Sequence, residues 1–530
     1  MRLLLIRESN TIYRYSNTSY GLGMVGTVAS EIAQVKIIDN NSIHVLYSPH
    51  ELLDKAAQFK PDVIGFNIHA FNILASRELI AQTKQRFPGL CLIAGGLHTY
   101  AEPGEVAETG VHIVVKGEAE PLIKPLLKIL ERFSVSETSK PFTIGAELAA
   151  ELTHIPGLEF QQEGKEHRSD TGQPGFVHDL DTLPFINYDL FNLEDFLKHS
   201  GDDHYVTNVL ITQRGCPYPC SFCRVEGSAA LVKVRENSTA YRLAYVDYLL
   251  NRFKPGHIIF YDNNFTLKRQ SAIDFCRGYV ERQFHRKTTF SCQTNVALNL
   301  DKDLLAAMKA ARCTEVGLGI ERLSQRALTL IRKNRNYDRI LSNLELLNHF
   351  GIDVLANCLI GFPFDTPETV AEESRLFGEV KDKIKVFAIN NLLPPPGTDV
   401  YQQTSYQRWY LQERFMHWKP SFYHMVFNFS NNAWDVNFFN LDRETQNAIR
   451  LMKERYYSLT IAKMDSRVID ILHFFEKILA RISLAAFRIH PTFENILFYF
   501  PKKTRILLHN YFLTKYYIPR NNALNEESLL

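Results

Sequence analysis

Twice along this chain, short runs of aliphatic residues alternate with stretches of helical periodicity, and few folds accept that rhythm. The first series starts with RLLLIR at 2–7. It passes through a helical stretch near 22–34 to VKIID, through another near 49–59 to DVIGFNI, and through a third near 73–87 to LCLIAGG. VHIVVKG follows, before a helix opening at about Glu118. Strands separated by helices of this length predict an α/β fold with a parallel, doubly wound (Rossmann-like) sheet over 1–133.

The second series consists of VTNVLIT, HIIFYD, TTFSCQ, TEVGLGIE, IDVLANCLIG and IKVFAINNLL, with helical stretches such as DKDLLAAMKAAR, where Asp301 is placed to cap. Six strand–helix units predict a partial, open (β/α)6 barrel over 206–400. Residues 134–205 lose the rhythm and are rich in Ser, Thr, Gly, Pro and charge, which reads as a linker with a hairpin around GLEFQQEGKEHRSDTG. Residues 401–530 turn to long aromatic-rich amphipathic stretches, among them ETQNAIRLMKERYYSLTIAKM and VIDILHFFEKILARISLAAF, and predict a helical C-terminal domain. With 530 residues the chain is too long for one core, since single cores stop growing at roughly 250–300 residues.

Sixty basic against fifty-eight acidic side chains leave a formal charge of +2, so electrostatics gives no case for nucleic acid. No apolar run reaches the roughly 18 residues of a membrane span, and MRLLLIRESN is too short for a signal-peptide core. The expectation is a cytoplasmic protein without a transmembrane segment. Eight cysteines in such a chain do not make a disulfide framework. Three of them crowd into TQRGCPYPCSFC, which in a reducing compartment reads as metal binding.

That loop directly follows a predicted strand, at the end of a β/α unit where barrels place their chemistry. A 4Fe–4S cluster is normally held by four thiolates, and the loop offers Cys216, Cys220 and Cys223, leaving one iron open for another ligand. The alternatives are a zinc site or a purely electron-transferring cluster. Zinc usually takes four protein ligands in paired spacing, and neither alternative accounts for the later strand-end motifs.

The CxxxCxxC spacing, with Phe222 before the last cysteine, resembles the signature of the radical S-adenosylmethionine (SAM) superfamily over about 206–395. The resemblance implies that the open iron is chelated by the amino and carboxylate groups of SAM. One electron from the cluster then splits the sulfonium to give a 5'-deoxyadenosyl radical, with flavodoxin or ferredoxin as electron donor. YDNNFTL (261–267) resembles the family's F-x-DD-x-F-T segment, with Asn263 and Asn264 in place of the usual acidic pair, and implies Asp262, Asn263 and Asn264 at the methionine end of SAM. GLGIERLS (317–324) resembles G-x-G-x-E-S and implies Glu321 as an acceptor for SAM hydroxyl or amino groups. CLIGFPFDTPE (358–368) resembles IGLPGET, where Gly361 would let the adenine approach closely, and LLPPPGTDVY (392–401) resembles PGT-x-LY, a rigid turn closing the core. Cys91, Cys276, Cys292, Cys313 and Cys358 read as core packing, Cys358 being the one to look for inside the barrel.

In the first domain PDVIGFNIH, LIAGGLHTYAEPGEV and VHIVVKGEAE resemble the cobalamin-binding domains that precede many radical SAM cores, over about 1–130. The resemblance implies Gly95, Gly96, His98, Gly117 and Glu118 as cobalamin-binding, with ligands lying beyond the carboxyl ends of the strands. The D-x-H-x-x-G motif that supplies a cobalt-ligating histidine is absent from RESNTIYRYSNTSYGLG, and His69 and His98 are the nearest substitutes by position. Together the resemblances imply cobalamin-dependent methylation of an unactivated carbon in a small-molecule substrate. The alternatives are a radical cyclase or rearranging enzyme of the same fold, such as an anaerobic magnesium-protoporphyrin monomethyl ester cyclase, and a non-catalytic cluster-bearing sensor. A tRNA methylthiotransferase is disfavoured, because only Cys91 precedes Cys216 and that family carries three N-terminal cluster cysteines. Trp409, Trp418 and Trp434 fall in the C-terminal region, which reads as a packed helical domain, as a lid over a large apolar substrate, or as a peripheral membrane contact.

Overall fold

In the computed structural model the described residues are 1–9, 17–41, 47–133, 140–194, 208–223, 233–296, 300–333, 337–403 and 441–462. The first sheet is built from β1 (Arg2–Arg7), β2 (Gln34–Asp39), β3 (Val63–Asn67), β4 (Cys91–Gly95) and β5 (Ile113–Val115), in the parallel order β2-β1-β3-β4-β5. The helices between them are α1 (Tyr20–Ala29), α2 (Pro49–Phe59), α3 (Ile73–Arg86), α4 (Leu97–Ala101) and α5 (Pro103–Ala107), followed by α6 (Glu120–Arg132). Along β1, Leu3 and Leu5 join one apolar cluster while Leu4 and Ile6 join another, so both faces are covered and every position between the terminal arginines is apolar. Helix α2 begins where Ser48 and Glu51 cap each other's backbone and Pro49 sets the first turn, and it ends at Lys60 in the left-handed region. In α6 the stripe Leu122, Ile123, Leu126, Leu127 and Leu130 is buried at helical spacing.

The segment read as a linker is only partly one. The short helix α7 (Ala146–Leu152) is followed by β6 (Leu158–Phe160) and β7 (Ser169–Asp170), the expected hairpin, which joins the first sheet as its antiparallel edge beside β5. Leu158 and Phe160 are fully buried there, and this burial draws the segment into the first domain. Residues 180–191 then fasten the two halves together: Phe185 stacks on Tyr245, Asn187 N donates to Thr27 Oγ1, and Tyr248 Oη donates to Ile186 O.

The second sheet takes its strands in sequential parallel order: β8 (Val209–Leu210), β11 (His257–Phe260), β12 (Thr289–Asn295), β13 (Cys313–Glu321), β14 (Asp353–Ile360) and β15 (Val386–Asn391). Sequential order with β8 and β15 at the edges is the order a partial barrel requires. A two-stranded ribbon, β9 (Gln213–Arg214) and β10 (Arg235–Glu236), stands outside this sheet. Asp301 caps the helix Lys302–Ala310 by accepting from Leu304 N. Of the C-terminal region, the helix Arg443–Ala462 is described and packs Tyr456 against Phe377 and Phe387; residues 404–440 and 463–530, with the three tryptophans and the second long helical stretch, lie outside the described residues. Among the described residues no helix is long and apolar enough to cross a membrane.

Candidate active site

The cysteine loop leaves the ribbon immediately after Arg214, at the carboxyl end of β8. Asp262, buried at the end of β11, holds the start of the loop. Its carboxylate accepts from Thr212 N at 2.5 Å, from Thr212 Oγ1 at 2.8 Å and from Gln213 N at 2.8 Å. Burial pushes the Asp262 carboxyl up to about 6, against the opposing pull of these hydrogen bonds. Further along, Ser221 N donates to Ile331 O and Ser221 O accepts from Val400 N, so the PGT turn fastens the loop itself. Phe222 meets Phe362 edge to face, with ring centres 5.9 Å apart.

Of the three strand-end residues after β11, Asn264 reaches the thiols. Its Nδ2 donates to Cys216 Sγ at 3.2 Å while its Oδ1 accepts from Asn295 N at the end of β12. Asn263 is exposed. At the end of β13, Glu321 takes a φ of 61° and pairs with Lys333 at 2.9 Å, both largely buried beside Cys220. The Gly361 amide donates to Asp365, as does that of Phe362, and Asp365 pairs with the buried Arg322, whose neighbour Glu373 accepts from Leu323 N and Ser324 N. This network fixes the loops after β13 and β14.

Cys223 keeps some exposed surface, yet protein crowds its thiol. Burial first, then the Cys220 and Cys216 thiols, push it up to about 12. Three thiols that close together cannot all ionise unless cations lie between them. Among the described residues no three metal-ligating side chains converge on one ion position. A cluster taking one thiolate per iron fits this set, and a single tetrahedral metal does not. The other five cysteines are buried as expected. Cys358 joins Val354, Ala356 and Ile360 in the cluster that includes the helix residues Val370 and Phe377, on the helix-facing side of β14.

At the mouth of the first sheet the motif residues are engaged differently. Gly96, at a φ of 117°, passes so near β3 that a Cβ would stand 2.5 Å from Ile68 O, whereas a Cβ on Gly95 would meet nothing nearer than 3.9 Å. His98 is buried with Nε2 3.0 Å from Glu105, and burial, with Arg7 and His98 adding, depresses His69 to about 3. Gly117 packs on Pro174. Glu118 turns to the second domain: Arg235 gives it two hydrogen bonds of 2.9 and 2.7 Å, Arg214 stands 3.3 Å away, and Val177 N donates at 2.8 Å. Burial works against the charged form of Glu118, but Arg235, Arg214 and the Val177 amide outweigh it and hold the carboxyl below its ordinary range. Arg214, Arg235, Lys333, Arg322 and Asp365 were not foreseen. The pairing of GEAE with the QR before Cys216 was a readable signal, two acidic and basic motifs each following a strand.

At the end of β4 an added Cβ on Gly95 would meet only Val115 O, at 3.9 Å, and the nearby Leu97 has 66% of its surface exposed, so this strand end is not filled by side chains. One apolar cluster runs from β1, β3 and β4 to Phe362, Leu392, Val400 and Tyr401, so this face of the first domain adjoins the mouth that holds the cysteine loop.

Residues 210–377 match the Radical SAM superfamily, and residues 13–126 match the B12 binding domain. An uncharacterized methyltransferase of Pyrococcus horikoshii is 25% identical over 76% of this chain and 83% of its own length. The anaerobic magnesium-protoporphyrin IX monomethyl ester cyclase of Cereibacter sphaeroides is 24% identical over 67% of this chain, which spans 55% of that relative. The radical SAM methyltransferase TsrM from Kitasatospora setae, solved with cobalamin and a [4Fe-4S] cluster bound, shares the fold with a TM-score of 0.60 at 19% identity, over 75% of this chain and 76% of that one. Two parallel α/β sheets with a three-cysteine loop between them therefore define an enzyme that works with a 4Fe–4S cluster, SAM and cobalamin. The chain thus carries a radical SAM domain preceded by a B12-binding domain.

Proposed function

We propose that this enzyme is a cobalamin-dependent radical SAM methyltransferase acting on an unactivated carbon of a small-molecule substrate. The observation that carries the reading is the three-cysteine loop at the mouth of one parallel sheet, held by ion pairs to the end of β5 in a B12-binding domain. When bound, the cluster with SAM supplies one-electron cleavage of the sulfonium, and cobalamin supplies methyl carriage.

The residues present divide the remaining work. Cys216, Cys220 and Cys223 hold the cluster, and Asn264 orients Cys216 through its Nδ2 hydrogen bond. Asp262 acts on the loop backbone and not on SAM, because its carboxylate is occupied by Thr212 and Gln213. Glu321, set at the end of β13 and paired with Lys333, and Gly361, at the turn fixed by Asp365, border the SAM site. Phe222, Phe362 and Phe364 exclude water from its edge. At the end of β4, Gly95 leaves room for the corrin. A small electron carrier of the flavodoxin or ferredoxin type is the partner, the location is the cytoplasm, and the near-neutral charge balance supports no nucleic-acid partner.

The cyclase relative keeps one second reading in view, radical ring formation without methylation. Anaerobic reconstitution with SAM, hydroxocobalamin and a reductant separates the two, with 5'-deoxyadenosine and product mass as readouts. Methylation adds one CH2 to the product; 5'-deoxyadenosine formed alongside a product lacking that mass would overturn the methyltransferase reading.

A further inference from the structure

The ribbon β9/β10 is the stem from which the cysteine loop grows, and in its register Arg214 lies opposite Arg235. Arg214 is two positions before Cys216. Both guanidinium groups cross to the first domain. Arg235 holds both oxygens of Glu118, and Arg214 donates to Glu120 Oε1 at 2.6 Å while standing 3.3 Å from Glu118. The four side chains are between 4% and 10% exposed, two positive and two negative. A planar guanidinium fork on a carboxylate fixes an angle as well as a distance. The network therefore ties the direction of the loop stem to the turn between β5 and α6.

That turn is where the first domain would feel its ligand. Strand β5 pairs directly with β4, whose end carries the open face of Gly95, and Thr99 Oγ1, at the start of α4, hydrogen-bonds Val115 O. Any shift of the β4 end on filling thus reaches Glu118 within one strand. Neither glutamate is left to face a corrin, since both carboxylates are engaged by the loop stem.

We propose that Glu118, Glu120, Arg214 and Arg235 couple the two cofactor sites, so that filling the cluster site raises the affinity for cobalamin and the reverse. This rests on the first domain binding cobalamin. The four are positioning residues, acting through the loop stem and the β5 turn, and linkage makes the effect reciprocal.

The test titrates hydroxocobalamin by absorbance into full-length protein under anaerobic conditions, with the cluster chelated away and with it reconstituted. In the wild type the cluster should tighten Kd by about tenfold, within the usual range of such couplings. Arg214→Gln and Glu120→Gln should bring that ratio close to one, leaving the cluster-free Kd near the wild-type value. Arg214→Lys, which keeps the charge but loses the planar fork, should retain only part of it. Glu120→Gln is the milder change, because Arg214 still faces Glu118, and it covers the case in which Arg214→Gln does not fold. A wild-type ratio of one overturns the proposal, as does a wild-type ratio in folded Arg214→Gln or Glu120→Gln. A collapse of cluster-free affinity in Glu120→Gln would make that residue a ligand and also overturn it. No hydroxocobalamin binding in either state of the wild type would remove the cobalamin reading itself, and the coupling with it.

Discussion

At the mouth of the barrel-type sheet, Asn264 hydrogen-bonds Cys216, Glu321 pairs with Lys333 beside Cys220, and Gly361 precedes Phe362, which packs on Phe222 of the cysteine loop. At the mouth of the first sheet, Gly96, His98 and Glu118 are taken up by a backbone approach, a buried carboxylate and a pair of arginines. Both sheets are built on parallel strands, the first with an antiparallel edge, and both carry glycines and acidic residues at strand ends. In the second those residues stand beside the cysteine loop, and in the first they are taken up by contacts within the protein. A motif at a strand end therefore marks a position, and its role depends on which neighbour reaches it first.

The comparison breaks most completely if the cysteines are not the cluster ligands. Cys216, Cys220 and Cys223 all replaced by Ala should leave no iron or sulfide after reconstitution, and a variant that retained its brown cluster would end the distinction between the mouths. Next in size is the latch. Arg235→Ala leaves Glu118 buried without its bidentate partner and should cost about 3–5 kcal/mol in urea unfolding, as expected when one member of a buried pair is removed. A loss below about 1 kcal/mol would mean that Glu118 is free to serve a ligand.

The two mouths should also differ in sign with pH. Glu118 titrates below its ordinary range in the folded protein, so its contribution is present above the unfolded carboxylate pKa and is lost as pH falls. Asp262, raised to about 6, contributes stability below the unfolded value near 3.9 and loses it as pH rises through 6. Asp262→Asn should flatten the stability profile between about pH 4 and 6, by at most about 3 kcal/mol at 1.4 kcal/mol per unit. An unchanged profile in that variant would show that Asp262 is not the group titrating there.

Much of this was readable in advance where local pattern and tertiary role coincide. The apolar runs of β1 to β5 are buried on both faces, so composition alone marks them; β11, β14 and β15 alternate buried with half-buried positions and are marked by that period, and Asp301 caps its helix for local reasons. The hairpin at 157–172 was legible as a hairpin but not as a sheet edge, because nothing local says which strand it will join. Arg322, Asp365 and Glu373 were missed because their partners lie 43 to 50 positions apart in sequence. The pairing of Glu118 with Arg235 is not legible locally, because that arginine follows 117 positions later.

Adjacent glycines give the finest division between architecture and ligand space. Gly96 has φ 117° and ψ 178°, a conformation open essentially to glycine alone, and its Cβ would meet Ile68 O at 2.5 Å. Gly96→Ala should therefore cost about 1–3 kcal/mol of stability whether or not cobalamin is present. Gly95 has no neighbour closer than 3.9 Å to an added methyl, so Gly95→Ala should change unfolding by less than about 0.5 kcal/mol. If the corrin lies over the end of β4, the same methyl projects into its space, and hydroxocobalamin affinity should drop severalfold in an otherwise intact protein. Equal hydroxocobalamin affinity in wild type and Gly95→Ala would move the cofactor away from β4, and the first mouth would then hold its ligand along β1 and β3.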